Sequence, residues 1–272
     1  MDSTVLDLLP ETTPVSTVVT LHGMYETIDP YRLREILPRL VKRTACLIYV
    51  AEKNLDALRQ HKLLDKANVV RIDNALQNAP FEPVLRDELG IPADAFVLTL
   101  VSRAMEEKGW AEGVEAVNLA RQQSGRDIHL VLAGDGPEYE RLCAENLPTH
   151  IHLQGFQRNV RGYFALADMG FLPSRFSGES FPLVIIECLQ AGRPFLATDL
   201  GEIAYMLAGD EGPAGAVIGM QGEAVDIAAM AQEIARLATD SAYLARLVAQ
   251  VPAVVRKFDP AILAERHDAV YR

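Results

Sequence analysis

The chain has 272 residues, 49% of them hydrophobic and 23% charged, the composition of a soluble globular protein with ample material for a core. Its length allows one large domain, or one full domain plus part of another. A formal net charge of -11 leaves no basic excess to neutralise a nucleic-acid backbone, so nucleic-acid binding is excluded, while a local basic patch for a small anionic ligand is not.

In chain order, MDSTVLDLLPETTP carries no basic region followed by an apolar stretch, so it does not read as a signal peptide. Val15–Leu21, Ala45–Val50 and Asn68–Ile72 read as strands. Arg32–Arg43 lies between the first two. It sets Leu33, Ile36, Leu37, Leu40 and Val41 on one helix face and basic residues on the other. Such a helix suits an anionic membrane surface, but packing on the neighbouring strands is the favoured reading. Asn74–Asp94 is polar and proline-containing, with one short helix, and marks a boundary between residues 1–94 and 95–272.

Beyond it, Phe96–Ser102, His129–Gly134, Ile151–Gly155, Met169–Pro173 and Pro194–Thr198 read as further strands. They are apolar on both faces and alternate with amphipathic helices such as Gly109–Gln123. That pattern predicts an α/β protein: a complete doubly wound parallel sheet, preceded by a partial Rossmann-like domain. Val225–Arg272 is expected to be helical, with a break at Asp259-Pro260.

Cys46, Cys143 and Cys188 form neither a metal spacing nor a disulfide framework, which suits a reducing cytoplasm. No apolar run is long enough to cross a bilayer. His61, His129, His150, His152 and His267 show no ligand spacing and read as structural. Trp110 and Phe176 read as packing residues.

The informative stretch is SRFSGESFPLVIIECLQAGRPFLATD, Ser174–Asp199. A helix is expected near Phe181, with Ser180 as its N-cap and Pro182 in the first turn. A helix N-terminus entered from a strand's carboxyl end is an anion site. Glu179 lies at its mouth and Glu187 about two turns deeper, both suited to sugar or ribose hydroxyls. Ser102, Arg103 and Lys108 follow another strand and offer a cationic clamp for a diphosphate.

Glu179 and Glu187, the SRAMEEKG segment, LVLAGDGPE, IHLQGFQRNV and YFALADMGFLPS occur together in one order. In this the chain resembles the retaining glycosyltransferases of GT-B fold known as glycosyl transferases group 1, whose hallmark is Glu-x7-Glu. The resemblance implies that Glu187 binds the ribose and that Glu179 contacts the transferred sugar. It implies that backbone amides of Ser180, Phe181 and Leu183 meet the diphosphate and sugar, and that Gly155 and Phe156 flank the base. Arg103 and Lys108 would stabilise the leaving diphosphate, and His22, in TLHGMYE, would reach the sugar. The donor would be a nucleotide-diphosphate sugar, UDP-linked, and no metal cofactor is implied. The acceptor would be a saccharide or lipid-linked glycan of polysaccharide assembly, handled in the cytoplasm at the inner face of the membrane.

Two departures stand out. Ser102 replaces a common glycine, and Pro182 replaces another and deletes a backbone donor. His22 lies close to residue 1, whereas the family's first domain begins well before the corresponding loop. This raises a second reading: a donor-binding subunit, or an inactive fragment, that needs a partner chain or self-association. A third is a UDP-sugar epimerase of the same fold, which the glutamate motif and the clamp disfavour.

Overall fold

The computed structural model describes residues 16–23 and 28–272. Val15 of the first expected strand, the rest of the N-terminal stretch and Met24–Thr27 lie outside the described residues. The chain divides into two compact units. One comprises the described residues up to Ala75 together with Pro260–Arg272, and the other is Leu76–Asp259.

In the first unit, β1 (Val18–Leu21), β2 (Cys46–Tyr49) and β3 (Val69–Arg71) form a parallel sheet in that order. Between β1 and β2 runs α1 (Pro30–Arg43). Asp29 caps it, accepting from the Tyr31 and Arg32 amides at 2.9 and 3.1 Å, and Pro30 occupies the first helical position. Leu33, Leu37 and Leu40 pack on Leu21, Leu47 and Leu58, the last from a short helix, α2 (Asp56–Gln60). The apolar stripe of α1 is therefore packed on its own sheet, as the favoured reading of this helix expects. The opposite face of the sheet, Cys46, Ile48 and Ile72, is covered by Leu263 and Val270 near the end of the chain.

In the second unit, β4 (Phe96–Val101) starts a six-stranded sheet, followed by α3 (Trp110–Ser124) and β5 (Ile128–Ala133). Next come α4 (Pro137–Cys143), β6 (Ile151–Leu153), α5 (Val160–Leu166) and β7 (Met169–Leu172). The chain continues through α6 (Leu183–Gln190), β8 (Phe195–Thr198), α7 (Ile203–Leu207) and β9 (Gly215–Ile218). A two-stranded ribbon of β10 (Met220–Gln221) and β11 (Ala224–Val225) leads to α8 (Ile227–Thr239) and α9 (Ser241–Val254), and α10 (Pro260–Tyr271) closes the chain. The sheet order is β6-β5-β4-β7-β8-β9, and every pairing is parallel. This is the expected doubly wound α/β arrangement, with one strand more than the sequence reading supplied. The winding reverses between β4 and β7, the switch point at whose carboxyl side doubly wound folds bind ligands.

Both faces of this sheet are packed. Leu98, Leu100, Leu130 and Leu132 meet Val117 and Ala120 of α3 and Met230 and Ile234 of α8. Val97 and Val131 meet Tyr163 and Leu166 on the other side, together with Val84, Leu89 and Ile91. Those last three come from the segment expected to be a linker. Arg86 fastens it further, donating to the Leu166 carbonyl at 2.8 Å and pairing with Asp168 at 3.0 Å. By compactness the units divide after Ala75, inside the boundary segment Asn74–Asp94, and α10 belongs to the first unit. The reason is side-chain attachment, which polarity and proline content do not report.

Candidate active site

The loops that leave the carboxyl ends of β4, β5 and β7 are closely packed. Gly109, at φ 77°, sits where a Cβ would come 1.8 Å from the Pro173 carbonyl oxygen. Gly134, at φ 150°, leaves room for the Ser102 carbonyl, and its amide donates to the Gly155 carbonyl at 2.7 Å. Only glycine allows the turns after β4, β5 and β7 to touch backbone to backbone in this way.

Two of the expected side chains meet here. The Lys108 ammonium lies 2.6 Å from Glu179 Oε2, and both side chains are about nine-tenths buried, at 11% and 9% exposure. Lys108 also sits 4.6 Å from the Phe176 ring centre, a cation–π contact that gives Phe176 more than a packing role. Ser174, fully buried, places its hydroxyl 3.2 Å from the same Glu179 oxygen. The loop after β7 is tied to the loop after β4 by Arg175, which pairs with Glu112 at 3.1 Å and with Glu106, while its amide donates to the Glu107 carbonyl at 2.8 Å.

The other expected residues fall as follows. Arg103 is exposed, and its side chain has no hydrogen bond or ion pair among the described residues. The Ser102 hydroxyl accepts from the Trp110 indole at 2.9 Å and donates to the Arg103 carbonyl at 3.0 Å, so it braces the clamp loop instead of standing open. Helix α6 starts at Leu183, capped by Pro182 without a side-chain cap bond. Ser180 is therefore not the N-cap that the sequence suggests. Its hydroxyl donates to the Gly178 carbonyl at 3.3 Å, and its own carbonyl accepts from the Glu202 amide at 2.9 Å. The Phe181 ring is buried edge-on against Phe258, which leaves only its backbone for a ligand. Leu183, by contrast, is exposed, and its first-turn amide has no intrahelical acceptor.

Glu187 is half-buried, with no hydrogen-bond or ion-pair partner among the described residues. Burial pushes its carboxyl above the usual range, against a weaker opposing pull from Arg161. Gly155, at φ 61°, turns the loop after β6, and Phe156 next to it is 65% exposed, an unusual setting for a ring. His22 is exposed just after β1, in the first unit. Sequence reasoning missed Ser174, Arg175 and Arg161, since an isolated serine or arginine carries no signal until the loops are folded together. Among the described residues, no group of three or more His, Cys, Asp or Glu side chains is arranged to hold a metal ion.

The family described as glycosyl transferases group 1 matches residues 95–240, more than half of the chain. The chain belongs to this family.

Curated relatives of this glycosyl transferases group 1 chain include the alpha-D-kanosaminyltransferase of Streptomyces kanamyceticus. It is 28% identical over 192 residues, which is 65% of this chain and 48% of that protein. The teichuronic acid biosynthesis glycosyltransferase TuaC of Bacillus subtilis, itself designated putative, is 26% identical over 73% of this chain and 51% of its own length. The chain thus spans about half the length of these relatives. Among solved structures, Anabaena HepE in complex with UDP superposes with a TM-score of 0.77 at 20% identity, covering 94% of this chain and 72% of HepE. Staphylococcus aureus TarM gives 0.74 at 16% identity, over 99% of this chain and 53% of that one. These likenesses establish the GT-B fold. No helix among the described residues is long and apolar enough to cross a membrane.

Proposed function

We propose that the chain binds a nucleotide-diphosphate sugar, UDP-linked, and serves its transfer with retention to a saccharide or lipid-linked acceptor. The observation that carries this reading is the Lys108–Glu179 pair at 2.6 Å, set beside exposed Arg103 and the open start of α6 at the sheet's switch point.

The chemistry follows from that arrangement. As the bond from the sugar to the diphosphate breaks, negative charge grows on the leaving phosphate. Arg103 offers a planar fork of donors to it. Lys108 has three N–H donors, and only one is spent on Glu179, so the other two remain for phosphate oxygens. Placing such cations where charge develops lowers the barrier without a metal ion. The Leu183 amide and the α6 dipole add to the same field. Lys108 also neutralises Glu179, so a carboxylate can sit next to a diphosphate and still accept from sugar hydroxyls. Glu187, without a partner among the described residues, takes the ribose hydroxyls, and Phe156 and Gly155 border the base. His22 as a sugar contact rests on the family resemblance alone. Retention through same-face attack likewise rests on the family resemblance alone.

The reading is tested by calorimetric titration of the chain with UDP, with GDP for comparison. Saturable binding of one UDP per chain supports it. A folded chain that binds neither nucleotide overturns it.

A further inference from the structure

We propose that Ser174 is a positioning residue that ties down one oxygen of Glu179 and aims the other at the donor sugar. This rests on the reading of Glu179 as a sugar contact.

Ser174 is wholly inaccessible to solvent, on the loop that leaves β7. Its hydroxyl has a single proton and two acceptors in reach, Glu179 Oε2 and the Glu107 carbonyl, each at 3.2 Å. The Glu107 carbonyl already accepts the Arg175 amide at 2.8 Å. The carboxylate, being charged and otherwise bound at that oxygen only by Lys108, is the stronger claimant for the proton. The serine itself cannot drift. The Phe176 amide donates to its hydroxyl oxygen at 3.2 Å, and the buried Thr198 hydroxyl of β8 donates to its carbonyl.

Lys108 and Ser174 therefore divide the work on Glu179. Lysine brings charge on a long, flexible stem, which fixes direction poorly. Serine brings no charge but a short, fixed side chain, which sets the plane of the carboxyl group. Both act on Oε2, and Oε1 has no partner among the described residues. A sugar hydroxyl donating to Oε1 would meet an acceptor already oriented, which saves the cost of ordering a loose side chain on binding.

The test titrates wild type, Ser174→Ala and Glu179→Gln with UDP and with UDP-glucose, with a melting curve for each. Ser174→Ala should hold its UDP affinity within about twofold and lose about tenfold for UDP-glucose, the scale of one hydrogen bond to a charged group. Ser174→Thr and Ser174→Val share a shape and differ in the hydroxyl, so Thr should bind UDP-glucose better than Val whatever the cost of the added bulk. Loss of the sugar-dependent share in Glu179→Gln but not in Ser174→Ala, with Thr equal to Val, overturns the role of Ser174 and leaves Glu179 in place. If Glu179→Gln binds UDP-glucose as wild type does, Glu179 is not a sugar contact, and both proposals for it fall.

Discussion

A carboxylate and an ammonium removed from water at 2.6 Å are held by large opposing terms, so they respond unequally to single and paired substitution. Glu179→Ala leaves Lys108 buried without its partner and should cost about 3–5 kcal/mol in a urea melt. Lys108→Met with Glu179→Leu removes both charges and should recover most of that loss while abolishing UDP-sugar binding. Arg103 lies at the other extreme. It is exposed and unpaired among the described residues, so Arg103→Ala should leave the melting curve within about 0.5 kcal/mol. It should weaken UDP far more than uridine in parallel titrations, because only UDP presents the diphosphate. Equal losses for both ligands would remove Arg103 from the clamp.

Away from these loops, His129 and His152 meet at 2.8 Å, and His150 bonds Asn118 at 2.8 Å. Asp127 and Arg121 flank the cluster. Burial pulls His150 and His152 down to about 4 from an ordinary 6.5, with Arg121 and the neighbouring imidazoles adding to it. The folded chain therefore binds fewer protons here than the unfolded one. Stability is full above pH 6.5 and is lost as pH falls from there towards 4. Thermal melts across that window should show the decline, and His152→Gln should flatten it.

At this scale the motif residues were legible because Glu179, Glu187, Arg103 and Lys108 lie in a recognisable order. Their couplings were not. That Lys108 meets Glu179, or that Ser102 is occupied by Trp110, depends on 71 and 8 residues of separation closing through the fold.

Among the elements, the strands were read almost to their ends, since a strand buried on both faces is a plain apolar run. β9 escaped because its four residues, GAVI, begin with one glycine and are followed by another. The cap of α6 was misplaced because the Ser180 backbone is taken by Glu202, three-dimensional context that overrides a local preference. Gly109 shows the same principle in reverse. Its φ of 77° and the 1.8 Å approach of the Pro173 oxygen leave no room for a side chain. Gly109→Ala should destabilise the chain by more than about 2 kcal/mol and weaken UDP binding, because Lys108 is the preceding residue. A variant that melts and binds like wild type would contradict this packing of the loops.

For the whole molecule, each unit has its own core, and the two are tied to the chain in different ways. Leu76–Asp259 is continuous, whereas the first unit is completed by α10. Ending the chain at Asp259 should expose Cys46, Ile48 and Ile72 and weaken the first unit, while UDP binding by the second persists. Differential scanning calorimetry with and without UDP would separate the two. A single unchanged transition would show that α10 carries no such burden.

The route of the chain also sets an order of events during synthesis. The first unit's strands are translated ahead of the second unit, yet Leu263 and Val270, which cover the sheet face of Cys46, Ile48 and Ile72, follow the whole of the second unit along the chain. At about 5–20 residues per second, some 200 residues pass before that face can be covered, an interval on the order of ten seconds or more. The second unit meets no such delay. The second unit is then ready to fold while the sheet of the first still waits for α10, and that waiting sheet is where a chaperone has most to protect.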